Sequence, residues 1–224
     1  MTLHPLGIFR GLASGSVSEW ASYAALLDFR RQVHALYTNV RRLAAKDPAI
    51  AHEHWRRARD KLLGGHPQSP IAPEDRSGFT GLRYYDYDRR FRFTAPLIEE
   101  PGERSEVQTS TGEAMWLRRI GHVEIPLGTL PVFWIDVYGG GIFIPFKDAT
   151  SGKETYGGGR YLLDTIKGAD LGSTADGRLV LDLNFAYHPS CHYNYHWSCP
   201  LAGPERRIES RVEAGEMTWE GAAS

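Results

Sequence analysis

The feature that most constrains this chain is a change of period near residue 66. Before it, apolar residues recur every three or four positions, first through Trp20, Tyr23, Leu26, Leu27, Val33, Leu36, Tyr37, Val40 and Leu43, then through Ala51, Trp55, Ala58 and Leu62, the spacing of one buried helix face. After it, short apolar runs are cut apart by glycine, proline and polar turns, the punctuation of strands. Parallel strands need a crossover of about a dozen residues or more, usually helical, and no such helix is legible after residue 66. The expected fold class is mainly β: an antiparallel barrel or sandwich-like domain with two N-terminal helices packed against it. Residues 1–66 form an N-terminal arm and helical pair, and residues 67–224 an antiparallel β domain that carries the site.

Local signals place the elements. Pro5, Gly7, Gly11 and Gly15 make residues 1–15 an irregular arm. Ser16 and Glu19 have capping-box spacing, in which each side chain satisfies a backbone N–H of the first turn. Asp47 followed by Pro48 reads as an N-cap with proline at the first helical position, where its missing N–H costs nothing. Gly64-Gly65 ends the second helix. Strands are expected at Leu82–Tyr87 and Phe91–Thr94, as a hairpin, then at Glu106–Thr109, Ala114–Arg119, His122–Ile125 and Leu130–Tyr138. Further strands follow at Ile142–Phe146, Arg160–Leu163, Leu179–Leu183 and Arg207–Val212, with a short one at Glu216–Trp219.

A formal net charge of -1 supplies no field to hold a polyanion, so nucleic acid is not an expected partner. The excess of Lys and Arg in residues 1–66 repeats at helical spacing and reads as a solvated helix face. No window reaches the roughly 20 apolar residues that span a bilayer, and the first twenty residues lack a secretory pattern. A cytoplasmic setting without membrane contact follows as an expectation, with homo-oligomerisation left open. Two cysteines are too few for a disulfide framework.

Polar chemistry concentrates between Gly141 and Pro200. TYGGGR, residues 155–160, lacks both GxxxxGK[ST] and GxGxxG, so a phosphate-loop reading does not hold. Beside this glycine-rich turn, Lys153, Tyr156 and Arg160 have the donors to hold an anion. Glu154, in the same loop, is the first candidate for a general acid or base. Asp182 is the second, with Asn184 on its strand face. Asn184 and Tyr187 complete the expected substrate-binding set. Cys191, His192, His196 and Cys199 form a soft donor set of the kind that suits zinc, although their spacing is not that of a standard module. No cofactor is required by the sequence. The same cysteines read equally as a disulfide or redox pair, or as a nucleophile at Cys191 assisted by His188 or His192. All these residues also have bland readings, as surface ion pairs or packed loop side chains.

Four blocks, GFTGLRYYDYD, FIPFKDATSGKETYGGGRYL, LVLDLNFAYHPSCHYNYHWSCPLAGPE and EAGEM, resemble the DUF1684 family of bacterial and archaeal proteins. The resemblance covers most of the chain after about residue 50. It matches Phe146, Asp148, Glu154, Tyr156, Arg160, Asp182, Asn184, Tyr187, Cys191 and Cys199, and departs at Leu183, Phe185, His188 and residues 205–208. It implies that Glu154, Arg160, Asp182 and the cysteine pair matter more than the histidines. It carries no assigned activity, and a bacterial source is the expectation drawn from it.

Together these readings predict a small-molecule enzyme that acts on a polar or anionic substrate by general acid/base chemistry, hydrolase- or lyase-like. The alternatives are a non-catalytic small-molecule-binding or regulatory module, and a metal- or thiol-dependent enzyme built on the Cys191/Cys199 loop.

Overall fold

The computed structural model describes residues 19–219 and residue 221. The irregular arm and Ser16 of the capping box lie outside the described residues. Helix α1 spans Glu19–Ala44 and α2 spans Pro48–Gly65. Asp47 caps α2 as its sequence predicts: its Oδ1 accepts from the backbone N–H of Ala49 at 2.8 Å and of Ile50 at 3.3 Å. Leu36, Tyr37 and Val40 of α1 meet Ala51, Trp55, Leu62 and Leu63 of α2 in the main apolar core. The Trp55 indole N–H donates to the Tyr37 hydroxyl at 3.2 Å, which satisfies a polar group that burial would otherwise penalise.

Eight strands follow: β1 (Arg92–Ala95), β2 (Ile98–Glu99), β3 (Arg104–Gln108), β4 (Ala114–Ile125), β5 (Gly128–Ile135), β6 (Gly141–Phe146), β7 (Arg160–Asp164) and β8 (Leu179–Asp182). A six-stranded sheet has the order β2-β4-β5-β6-β7, with β3 also on β4, and β1 pairs with β8 in a separate two-stranded sheet. All these pairings are antiparallel. The expected barrel is therefore corrected to an open, sandwich-like arrangement, because the terminal strand β7 never meets β2 or β3 to close a ring.

The local strand expectations divide. Residues 82–87 do not make a hairpin with 91–94; only Tyr84 bridges, and to Glu216. Strand β1 instead takes its ladder from β8, with Arg92 opposite Asp182. Residues 207–212 form no strand, since Arg207 makes a single bridge to Lys147 and the Val212 N–H goes to Asp148 Oδ2 at 2.8 Å. The two expected strands at 114–119 and 122–125 are one strand with a bulge, because the pairing with β5 shifts between Arg119 and Gly121. The extra residue inverts the pleat. Leu117 thus joins Phe133, Ile135, Phe143 and Tyr161 in a small second cluster, while Val123 and Ile125 join the main core beneath the helices.

Gly121 permits this bulge by close approach: a Cβ there would collide with the carbonyl oxygen of Ile98 on β2. Gly121→Ala is expected to push β2 off β4 at a cost of about 1–3 kcal/mol. The amides of Glu100 and Gly102, which donate to Ile120 and Arg119, should lose hydrogen-exchange protection before the core does. Unchanged protection at both would contradict this account.

Candidate functional site

A cavity of about 80 Å³ lies between the helices and the β7 edge of the large sheet. Val33, Leu36 and Leu62 form its helical wall, Tyr161, Tyr187 and Tyr193 the opposite one, and Arg59, Lys167 and His188 supply charged or titratable groups. The arrangement follows from the helix period: Arg59 is four residues from Trp55 and three from Leu62, so it sits in the buried stripe of α2. Its guanidinium lies 5.0 Å from the Trp55 ring centroid and 4.9 Å from that of Tyr187.

Behind the cavity is a fully buried carboxylate. Glu216 Oε2 accepts from Arg59 at 2.7 Å and from the backbone N–H of His188 at 3.1 Å, and Oε1 accepts from the Tyr193 hydroxyl. His188 Nδ1 lies 3.4 Å from Oε1. His188 Nε2 accepts from the Tyr156 N–H at 3.2 Å, which assigns the ring proton of neutral His188 to Nδ1, facing the carboxylate. Burial pushes the Glu216 carboxyl up, but Arg59 and His188, with hydrogen bonds from His188 and Tyr193, outweigh it and hold the pKa at about 2. Burial lowers the His188 pKa, against the pull of Glu216. The resting network is an ionised carboxylate and guanidinium beside a neutral imidazole.

The residues singled out in the sequence occupy several places. Glu154 lies at the surface, where Arg211 donates to Oε1 at 2.8 Å and holds its carboxyl below the usual range. Lys153 beside it is exposed. Arg160 is fully buried and bonds Asp148 Oδ1 at 3.1 Å, the Val212 carbonyl at 3.0 Å and the Ala214 carbonyl. That fork ties β7 to the C-terminal segment. Asp182 accepts from Asn184 Nδ2 at 2.7 Å, Arg92 at 3.0 Å and the Tyr87 hydroxyl at 3.3 Å, and Asn184 also bridges to the backbone of Asp88. Burial raises the Asp182 pKa, opposed by these bonds. Of the expected binding residues, Tyr187 lines the cavity and Tyr156 stands behind His188, ring centroids 6.2 Å apart. The triple glycine serves packing: Gly159 has φ +93°, and a Cβ on it would lie 2.6 Å from the Phe146 carbonyl oxygen.

The zinc expectation is corrected. Among the described residues no group of three or more His, Cys, Asp or Glu side chains is placed to hold a metal ion. His192 Nε2 accepts from the Trp219 N–H at 3.2 Å, and burial, then His188, lowers its pKa to about 3. His196 is exposed, with Nδ1 on Asn194 at 2.9 Å. Cys191 and Cys199 remain together, both buried and both free thiols; the Cys191 N–H lies 3.3 Å from Cys199 Sγ. A hydrogen bond from Cys199 is the first cause that lowers the Cys191 pKa to about 6.

The sequence reading did not single out Arg59, Lys167, Tyr193 or Glu216. Two signals were present. Arg59 interrupts an apolar stripe, and Glu216 lies inside the EAGEM block.

A family model described as "Protein of unknown function (DUF1684)" matches residues 77–217. The chain belongs to the DUF1684 family. The DUF1684 match contains His188, both cysteines and Glu216, whereas Arg59 and the two helices precede it. The chain is also similar to the uncharacterized protein from gene locus rrnAC0354 of Haloarcula marismortui, solved by solution NMR, with 30% identity and a TM-score of 0.51 over 78% of this chain and 96% of that one. That relative is archaeal, which corrects the bacterial expectation. A search of curated proteins finds no match. Among the described residues no helix is long and apolar enough to cross a membrane.

Arg59→Met strands the Glu216 carboxylate and is expected to cost about 3–5 kcal/mol, whereas the double variant with Glu216→Gln recovers part of that loss. Because the folded carboxyl is held below its ordinary 4.5, its stabilisation is present above that pH and is lost as pH falls toward about 2,. Urea unfolding of wild type and Glu216→Gln across this window should converge in acid. Parallel curves, or a double variant no better than Arg59→Met, would exclude the assigned pairing.

Proposed function

We propose that this DUF1684 protein is a non-catalytic binding module for a small molecule with an apolar body and an anionic or hydrogen-bond-accepting end, held in the cavity between the helices and β7. The observation that carries this reading is Arg59. It lines the cavity, and its Nε–H is buried without an acceptor, although buried polar groups almost always have a partner. The surrounding wall is apolar and aromatic, the usual lining of a small-molecule site. Lys167, half-exposed and 3.6 Å from Asp164, adds a second cation to the lining.

Binding is favoured over acid/base catalysis because the carboxyls read as proton carriers stand elsewhere. Glu154 is engaged at the surface by Arg211, and Asp182 is saturated by Arg92, Tyr87 and Asn184. The Nε2 lone pair of His188 is occupied by a backbone N–H. At about 80 Å³ the cavity is roughly half the size of one that takes benzene, so the fitting class is a short aliphatic carboxylate.

Titration with acetate, propionate and butyrate, followed by backbone NMR, is expected to shift residues around Tyr161, Tyr187 and Arg59, with the matched alcohols much weaker. Val33→Phe, which fills the cavity from α1 without touching the Arg59–Glu216 pair, should abolish the shifts. Equal response to acids and alcohols, or undiminished binding by Val33→Phe, would overturn the reading.

A further inference from the structure

The cysteine loop supports a second chemistry, independent of the cavity. We propose that Cys191 and Cys199 form a hydroperoxide-reactive dithiol site, with Cys191 as the attacking sulfur and Cys199 as the resolving one. Four features of the surroundings carry this.

The first is proximity. Cys199 Sγ lies 3.3 Å from the Cys191 backbone nitrogen, and the N–Cα bond adds about 1.5 Å. The Cys199 sulfur is therefore within disulfide reach of the Cys191 side chain, although the two residues are eight apart in sequence. The second is donor placement. The Tyr156 hydroxyl is 3.9 Å from Cys191 Sγ, where its O–H can stabilise a thiolate on Cys191 as the attacking sulfur.

The third is rigid support. The turn between β3 and β4 clasps the loop from outside: Ser110 N–H donates to the Cys199 carbonyl at 2.8 Å, Cys199 N–H donates to Ser110 Oγ at 3.0 Å, and Ser110 Oγ donates to the Trp197 carbonyl at 2.8 Å. These bonds fix the resolving residue. The fourth is a difference in access. Cys191 retains 8% exposure against 1% for Cys199, and Tyr195 in the intervening loop is 69% exposed. A small oxidant thus reaches Cys191 first.

The chemistry balances with a hydroperoxide as the named oxidant. The Cys191 thiolate attacks the terminal peroxide oxygen; an S–O bond forms, the O–O bond breaks, and the leaving oxygen takes a proton to depart as water or alcohol. The Tyr156 phenol, which burial keeps protonated, is positioned as a donor near that oxygen. Cys191 becomes a sulfenic acid, oxidised by two electrons while the peroxide is reduced. The Cys199 sulfur then attacks Cys191 Sγ, the S–O bond breaks, and hydroxide leaves with the thiol proton as water. The product is an intramolecular disulfide, and the net change is loss of one hydrogen from each thiol.

The test is stoichiometric hydrogen peroxide on the native full chain, followed by peptide mapping without reduction. The expected product is a peptide pair joined through Cys191 and Cys199. In Cys199→Ser the expected product is a sulfenic acid on Cys191, trapped by dimedone, and Cys191→Ser should leave Cys199 unreacted. Before oxidation, iodoacetamide should label Cys191 about tenfold faster than Cys199 in folded wild type, a measurement that does not depend on either variant folding. Failure to form the intramolecular disulfide, first oxidation at Cys199, or equal labelling of the two thiols would each overturn the assignment. Loss of carboxylate binding by the cavity would leave it untouched.

Discussion

The interaction on which the rest of this structure depends is the buried pair between Arg59 and Glu216. The two residues are 157 positions apart, one on a helix ahead of the family-matched region and one in the irregular C-terminal segment. That segment makes almost no ladder of its own. Its place is set by Glu216, by the Arg160 bonds to the Val212 and Ala214 carbonyls, and by Asp148 on the Val212 N–H. Buried charges are costly unless paired and hydrogen-bonded, and Glu216 is paired with Arg59 and hydrogen-bonded by Arg59, the Tyr193 hydroxyl and the His188 backbone N–H. Such a network contributes less to net stability than its count of contacts suggests. Its effect is selection: a misplaced C-terminal segment would leave a charge stranded in the core.

The same logic recurs twice. Arg160 and Asp148 are 3.1 Å apart with both side chains almost fully buried, and Arg92 meets Asp182 at 3.0 Å where β1 joins β8. The first closes the connection between β6 and β7 and holds the C-terminal segment through Val212, and the second joins two strands far apart in sequence. The bulge at Arg119–Gly121 does related work in the sheet, because one inserted residue lets a single strand serve a core on either face. The cavity follows from these constraints. Arg59 is drawn toward Glu216 and the two rings flanking it, and the space between the helical wall and Tyr161, Tyr187 and Tyr193 is left unfilled.

The acidic and basic residues most prominent in the sequence proved to be those whose partners lie inside the protein. Arg160 and Asp182 read as site residues because charge amid apolar runs is unusual, and that observation is correct as far as it goes. Charge in such a position has two explanations, a ligand or an internal counter-ion, and they look identical until the counter-ion is located. Arg59 posed the reverse problem. On α2 it reads as one more base on a solvated face, yet its position three residues before Leu62 and four after Trp55 turns it inward.

By itself the sequence determined what depends on neighbours within a turn or a strand. That includes the two helices, the Asp47 cap, β1 and most strands of the large sheet, since the 3.6 and 2 residue periods are local properties of the backbone. It also marked the cysteine loop as unusual. Tertiary structure alone decided that the sheet stays open, that 114–125 is one bulged strand, that His192 and His196 part company, and that Glu216 rather than Glu154 is the carboxylate beside the cavity. These are choices of partner between segments tens to more than a hundred residues apart. They turn on which charges can be neutralised and which backbone groups satisfied once every segment is packed at once, and no window of the sequence contains that information.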